Sequence, residues 1–207
     1  IGPLNPDGAG ATGRVDAVAT SHARALGIEN MAETSVQGRG VLIDLRAHHG
    51  DGRTLVGYEK LMRVMEADAV VVEPGDMVCL HTGFAERVLE MGGTPDAHVL
   101  EHACAVLDGT DARLLDWITD SGLAVLCADN YAVEAFPAAR RGASCCTLAP
   151  LHEHCLFKLG VHLGELWHLT PLAGWLRQHG RSRFLLTAPP LRLPGAIGSP
   201  VTPIATV

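Results

Sequence analysis

The amino-acid sequence predicts an α/β fold in which at least some strands pair in parallel. Short apolar runs flanked by glycine or polar residues, such as VLIDL and LAVLC, are typical of buried strands. Segments with a helical spacing of apolar residues alternate with these runs, and no internal repeat interrupts the alternation. Hydrophobic residues make up 47% of the chain, which is enough for one well-buried core. The 207 residues fit one domain of this class, and two small domains are the alternative.

The predicted elements alternate between helix and strand after an irregular start. The helices are predicted over residues 21–33, 54–69, 98–108, 112–122, 149–160 and 170–180. The strands are predicted over residues 38–48, 77–83, 123–130, 161–169 and 183–188, with a strand-like tail at the carboxyl end.

Capping and turn signals justify the first elements. Residues 1–20 carry Gly and Pro without a hydrophobic period and are expected to form an irregular arm before an α/β domain over residues 21–207. Ser21 is a plausible N-cap of the first helix. The first strand is a Gly-flanked apolar run. Leu61 and Val64 show helical spacing in the second helix, and a Pro-Gly turn precedes the second strand.

Similar signals mark the later elements. Gly122 ends the fourth helix, and the strand LAVLCADN follows it directly. Pro150 begins the next helix and Gly160 closes it. Thr170 is the expected N-cap of the last helix, with Pro171 at its first position. The final strand of the alternation stops at a Pro-Pro pair.

The charge balance excludes some classes of partner. There are 16 Lys and Arg against 23 Asp and Glu, which gives a formal net charge of −7. Nucleic acid and anionic membrane surfaces reward clustered Lys and Arg, so neither is expected as a partner. No apolar stretch approaches the length of a membrane-spanning helix, and no signal peptide is found, so a cytoplasmic protein is expected.

The segment PLHEHCLFKLGVHLGE, residues 150–165, concentrates metal-binding side chains. On a helix, His152 and His154 project roughly 200° apart and cannot bind one ion together. His152 and Glu165 can meet if the chain turns from helix to strand, and they would offer nitrogen and oxygen ligands to Zn or Mn. Two ligands do not make a complete site. On spacing alone, a surface helix with solvated histidines is favoured.

Polar residues at strand ends provide further candidates. Asp129 and Asn130 could orient a ligand or a metal-bound histidine, or they could cap a helix in YAVEAF. His81, near the end of the second strand, is interpreted as a structural histidine. Ser199 in GAIGSP could lie near an oxyanion, but the segment does not match a nucleophile elbow.

The six cysteines form no CxxC pair, which favours reduced thiols over structural disulfides. Cys79 and Cys127 lie in apolar runs, where a free thiol packs as a small hydrophobe. The adjacent Cys145 and Cys146 raise the hypothesis of a thiol enzyme, but no histidine is tied to them by the sequence.

Five blocks in a fixed order resemble the cyclase family of bacterial kynurenine formamidases and isatin hydrolases. The resemblance runs from about Ile28 to Val207. The blocks are GRGVLIDL (38–45), EPGDMVCLHTG (73–83), ADNYAVEAFP (128–137), PLHEHCLFKLGVHLGELWHL (150–169) and APPLRLPGAIGSPVTPIA (188–205).

The resemblance implies a swivelling β/β/α-type α/β domain with a mixed sheet and flanking helices, usually assembled as a homodimer or homotetramer. It implies a divalent metal, Zn or Mn, that activates water against a formamide or cyclic amide. Its metal-site histidine and glutamate match His152 and Glu165. Asp129, Asn130 and Ser199 match pocket residues of the family.

One family feature is missing from this sequence. The HxGTHxD-type motif, which supplies the other metal ligands and the catalytic histidine, should precede residue 27, where only His22 is present. The chain starts with Ile and its first methionine is Met31, so a fragment or processed form is expected. A family member that has lost its metal and serves in binding or assembly is the alternative. Either way, His152 and Glu165 alone are expected to bind metal poorly.

Overall fold

The computed structural model describes residue 23 and residues 27–138 and 147–207. Eight strands are described: β1 (Gln37–Asp44), β2 (Thr54–Val56), β3 (Met77–His81), β4 (Ala105–Leu107), β5 (Val125–Ala128), β6 (His162–Gly164), β7 (Arg183–Thr187) and β8 (Ile204–Thr206). Eight α-helices are described: α1 (Ile28–Thr34), α2 (Leu45–His49), α3 (Tyr58–Ala67), α4 (Phe84–Glu90), α5 (Ala97–Glu101), α6 (Ala112–Ser121), α7 (Pro150–His152) and α8 (Thr170–Gln178). A π-helix over Glu153–Leu159 continues α7.

Backbone contacts divide the chain into two compact units. Among the described residues, the larger unit comprises residues 39–138, 147–184 and Val207, and the smaller comprises residues 23, 27–38 and 185–206. In the larger unit, β6, β5, β3 and β1 lie side by side in that order and run parallel. In the smaller unit, the end of β7 pairs antiparallel with β8. The six-stranded sheet is therefore mixed and flanked by helices, which confirms the predicted fold class.

The core of the larger unit lies between the parallel strands and two amphipathic helices. Leu61 and Val64 of α3 and Leu114 and Ile118 of α6 are buried against apolar side chains of the strands. Because β1, β3, β5 and β6 run in the same direction, their carboxyl ends share one edge of the sheet. Ligands of open α/β sheets bind outside this edge.

Several sequence-based boundaries are wrong, each for a local reason. The helix expected over 98–108 ends at Glu101, because residues 105–107 are buried and pair as β4 with β2. The helix expected over 54–69 begins only at Tyr58, after β2 and Gly57. The strand expected over 161–169 is limited to residues 162–164.

The ends of two helices also differ from expectation. The helix predicted over 149–160 is mostly a π-helix, although Pro150 begins it and Gly160 closes it with a left-handed conformation (φ 69°), as predicted. Leu169, not Thr170, is the N-cap of α8, and Thr170 is its first helical residue. In the part of the chain that the structure describes, no helix is both long and apolar enough to cross a membrane.

In the smaller unit, α1 contacts the loop that leads to β8. The backbone N–H of Gly195 donates to Glu29 at 3.1 Å, and Arg192 pairs with Glu33 at 2.8 Å. Helix α1 begins at Ile28, so its predicted N-cap Ser21 is not at its start, and Ser21 lies outside the described residues. The predicted arm over residues 1–20 also lies outside them.

Candidate functional site

His152 lies between two carboxylates beside the carboxyl edge of the parallel strands. Its Nδ1 is 2.9 Å from Oε1 of Glu134, and its Nε2 is 3.1 Å from Oε1 of Glu165. Glu165 directly follows β6, and His152 is the last residue of α7. The structure therefore brings together the two residues that the sequence assigned to a metal.

Backbone groups hold both carboxylates in place. The side chain of Glu134 is fully buried and accepts hydrogen bonds from the backbone N–H groups of Leu151 (3.0 Å) and His152 (2.9 Å). These donors belong to the first turn of the helix, where N–H groups lack intrahelical partners. Oε2 of Glu165 accepts the backbone N–H of Ala132 at 2.8 Å, which leaves its Oε1 facing His152.

The electrostatics of this cluster favour a charged imidazole between two charged carboxylates. Burial lowers the pKa of His152, but hydrogen bonds to Glu134 and Glu165 outweigh burial and raise that pKa to about 9. Burial raises the pKa of Glu165, but the hydrogen bonds from His152 and Ala132 reverse this effect and lower it. With a proton on each ring nitrogen, His152 donates to both neighbours.

A metal ion would find nitrogen and oxygen donors here, a set that suits Zn or Mn. Across residues 27–138 and 147–207, no group of three His, Cys, Asp or Glu side chains is arranged to hold a metal. The described residues thus contribute a pair of donors rather than a full coordination shell. His22, the one histidine before residue 27, lies outside the described residues.

The sequence did not identify Glu134. One signal could have singled it out: Glu134 stands alone in the apolar run YAVEAF, and a buried carboxylate needs hydrogen-bonding partners.

Asp129 and Asn130 lie immediately beyond the end of β5 and are both buried. Oδ1 of Asp129 accepts from the backbone N–H and the hydroxyl of Thr82, and Oδ2 accepts from the backbone N–H of Gly83, each at 2.7 Å. Asp129 thereby stabilises the turn after β3 through hydrogen bonds. The alternative that these residues cap a helix in YAVEAF is wrong, since residues 131–137 contain no helix.

Only one of the two polar atoms of the Asn130 amide has a hydrogen-bond partner among the described residues. Its Nδ2 donates to the carbonyl of Ala105 at 3.1 Å, whereas its buried Oδ1 has no hydrogen-bond partner among the described residues. A buried acceptor of this kind can receive a hydrogen bond from a ligand or an ordered water. The pocket roles of Asp129 and Asn130 stay predictions.

Ser199 belongs to the smaller unit. Its hydroxyl accepts the backbone N–H of Leu191 at 2.8 Å and donates to the carbonyl of Pro200 at 2.6 Å. These bonds fix the loop before β8. The role of Ser199 in a substrate pocket stays a prediction.

The remaining candidates lie apart from His152. His154 faces another direction, with its Nε2 2.9 Å from the hydroxyl of Thr119, so the two histidines of the HEH segment do not face one ion. Cys145 and Cys146, the basis of the thiol-enzyme hypothesis, lie outside the described residues.

A cavity of about 500 Å³ opens beside the loop that carries Glu134. It is lined by Arg53, Glu101, His102, Tyr131, Phe136 and Pro137. Tyr131 and Phe136 flank Ala132 and Glu134 along the chain, so one loop contributes both to the cavity and to the His152 cluster. Within the described residues, no carboxylate forms an ion pair with Arg53. The lining thus offers two aromatic rings and one cation to a small aromatic molecule, together with one carboxylate, that of Glu101.

Comparison with known proteins links these features to a family. The family model "Cyclase" matches residues 9–135, which is more than half of the chain. A solved structure described as a novel cyclase is 34% identical in sequence, with a TM-score of 0.74 over 88% of this chain and 57% of its own. No curated protein matched the chain.

Two isatin hydrolases share the fold at lower identity. Isatin hydrolase A from Ralstonia solanacearum is 16% identical, with a TM-score of 0.60 over 86% of this chain and 63% of its own. Isatin hydrolase A from Labrenzia aggregata, solved with benzyl benzoate, is 13% identical, with a TM-score of 0.57 over 86% of this chain and 64% of its own. The chain spans less than two thirds of the length of these solved structures.

Proposed function

The chain belongs to the cyclase family, and from that membership we propose that it is part of a metal-dependent hydrolase of C–N bonds. The proposed substrates are small formamides or cyclic amides. The single observation that carries the proposal is the contact of His152 with Glu165 on one side and with the buried Glu134 on the other.

In this proposal, Nε2 of His152 and Oε1 of Glu165 are two of the ligands of a divalent metal, Zn or Mn. A bound ion of this kind polarises a carbonyl oxygen and lowers the pKa of a water molecule. Further ligands are expected from the family's N-terminal motif, because a catalytic zinc usually takes three ligands from the protein.

The chain's own residues would orient these ligands. Glu134 holds the Nδ1–H of His152, which fixes the ring so that Nε2 points toward Glu165. Ala132 binds one oxygen of Glu165 and leaves the other available. Tyr131 and Phe136 offer aromatic surface for the organic part of the substrate.

The experiment that tests the proposal uses the intact gene product. Its metal content would be measured, and hydrolysis of N-formylkynurenine and isatin would be followed by absorbance before and after chelation. We expect activity that chelation removes and that added Zn or Mn restores. A metal-free intact protein that hydrolyses neither substrate would overturn the proposal.

The second candidate is a binding or assembly protein that has lost its metal. One observation favours it: the ion pairs of His152 with both carboxylates satisfy the ring without a metal. An HxGTHxD-type motif in the intact gene together with bound metal would exclude this candidate. For either function we also propose that the protein is cytoplasmic and forms a homodimer or homotetramer. Light scattering of the intact protein would measure its oligomeric state.

A further inference from the structure

A second cluster of reactive side chains lies away from His152, at the carboxyl ends of β1 and β3. Asp44 and His81 are the last residues of these strands and are paired in register. Nδ1 of His81 is 2.8 Å from Oδ1 of Asp44, and Nε2 of His81 is 3.2 Å from the hydroxyl of Thr170, the first residue of α8. A carboxylate, an imidazole and a hydroxyl thus form a continuous chain of hydrogen bonds.

The direction of these hydrogen bonds follows from the chemistry of Asp44. Burial raises the pKa of this carboxyl, but hydrogen bonds from His81 and Arg177 lower it to about 2, so the group is ionised at neutral pH and can only accept. Nδ1 of His81 must therefore carry a proton. In the neutral ring, Nε2 then has a lone pair, and the hydroxyl of Thr170 donates to it.

Surrounding contacts hold the acid and the base rigidly while Thr170 stays partly exposed. Asp44 also accepts from the backbone N–H of Ala47 at 3.1 Å and from the guanidinium of Arg177. His81 is only 2% exposed. A nucleophile in contact with a base, which a third group orients, is the recurring arrangement of nucleophilic catalysis.

A purely structural use of the hydroxyl would be to cap α8, as the sequence predicted. The structure assigns the N-cap to Leu169 and shows no side-chain cap. The hydroxyl of Thr170 is instead directed at the imidazole, and its threonine lies at a helix N-terminus, where the positive end of the helix dipole can stabilise developing negative charge.

We propose that Asp44, His81 and Thr170 form a metal-independent acyl-transfer site for small activated carboxylic esters. Oγ1 of Thr170 forms a bond to the carbonyl carbon as its proton passes to Nε2 of His81. The bond to the alcohol oxygen breaks, and the leaving alcohol takes that proton. Water then attacks the threonyl ester and gives its proton to His81, which returns it to Oγ1 as the carboxylic acid departs. The net reaction is hydrolysis of the ester.

The chain contains a matched control for this geometry. The hydroxyl of Thr119 is 2.9 Å from Nε2 of His154 and 3.1 Å from the carbonyl of Leu115. In the part of the chain that the structure describes, no carboxylate contacts the other ring nitrogen of His154. Thr119 therefore has an imidazole neighbour without an orienting acid.

The test uses p-nitrophenyl acetate on the protein in excess chelator. Release of p-nitrophenolate is followed by absorbance, and acetylated residues are identified by peptide mass spectrometry. We expect acetylation of Thr170 at least tenfold above that of Thr119. We expect an initial burst of p-nitrophenolate, which Thr170→Val should remove. We expect His81→Gln to slow acetylation of Thr170 by about 100-fold or more. Thr119→Val should leave the burst unchanged.

Acetylation of the protein without substitutions decides the outcome even if a variant does not fold. Equal or lower acetylation of Thr170 relative to Thr119 would overturn the proposal. So would an undiminished burst in a folded Thr170→Val protein, with folding checked by circular dichroism. Since chelator is present throughout, the result is independent of the proposed metal-dependent activity.

Discussion

Oε1 of Glu134 accepts two hydrogen bonds from the same residue, one from the backbone N–H of His152 and one from its Nδ1, both at 2.9 Å. This double contact couples the orientation of the imidazole to the first turn of the helix. The ring cannot rotate without losing its bond to a carboxylate that is itself buried. Glu134 is thereby a positioning residue for the proposed metal ligand.

Replacing Glu134 by Gln is expected to lower the pKa of His152 from about 9, because the largest charged partner of the ring is lost. In the intact protein, the same change is expected to weaken binding of Zn or Mn by about 10–100-fold. NMR titration of the His152 ring and calorimetric metal titration would measure the two effects.

Glu153→Gln is the matched control for this change. Glu153 is the next residue along the helix but pairs with Lys158 on the surface, at 2.9 Å. Glu153→Gln should change neither the pKa of His152 nor the affinity for Zn or Mn. An unchanged pKa of His152 in the Glu134→Gln protein would contradict the positioning role.

The raised pKa of His152 also predicts how stability depends on pH. A group whose pKa rises from 6.5 to about 9 on folding contributes stability that is complete below 6.5 and lost as pH rises through 9. We expect chelator-treated protein to lose stability over this range, and the His152→Gln protein to lose less. Urea denaturation at a series of pH values would check this, and parallel curves for the two proteins would refute it.

Asp44 predicts the opposite dependence in acid. Its pKa falls from 3.8 to about 2 on folding, so its contribution is present above 3.8 and lost as pH falls toward 2. Asp44→Asn is expected to reduce the free energy of unfolding at neutral pH by roughly 2 kcal/mol. The exposed Asp116→Asn is the control in urea denaturation. Equal stabilities of the two variants would count against the buried network.

Gly109 leaves the space in which the carboxylate of Glu134 sits. A Cβ at this position would overlap Oε2 of Glu134 and approach the backbone N of Leu151 to 3.1 Å. Gly109→Ala is therefore expected to destabilise the protein by about 1–3 kcal/mol through overpacking, and to lower the pKa of His152. Denaturation curves would measure the loss of stability, and NMR titration would measure the pKa of His152.

Gly174→Ala serves as the control for that substitution. Gly174 lies within α8, and a Cβ there would meet nothing within 4 Å. Its replacement should stabilise the helix slightly. If both variants behaved alike, close packing of Gly109 against Glu134 would be excluded.

The cavity beside Tyr131 predicts binding of small aromatic anions. Benzoate is expected to bind in the cavity through Arg53 and the two rings, and Arg53→Gln is expected to weaken its binding about tenfold or more. Calorimetry would measure the dissociation constants, with the exposed Arg63→Gln as the control. Equal binding by both variants would show that Arg53 does not contact the anion.

Strands β1, β3 and β5 could be predicted because each contains a buried apolar run. Strands β2 and β4 could not, because three residues are too few to show a period, and their pairing joins residues about fifty positions apart. The family pattern led to His152 and Glu165, whose contact depends on a turn that spacing alone does not determine. Glu134 and Thr170 gain their roles from tertiary contacts, which no local pattern encodes.

The π-helix over Glu153–Leu159 has a consequence for the evolution of the site. Its wide turns absorb more residues than an α-helix of equal length, and Gly160 then directs the chain into β6. The stretch between His152 and Glu165 therefore works as a spacer of set length, with exposed side chains at residues 156–159 and 162. Substitutions at these exposed positions should be tolerated, unlike those at the buried Cys155, whereas losing a single residue would shorten the spacer and draw Glu165 away from His152.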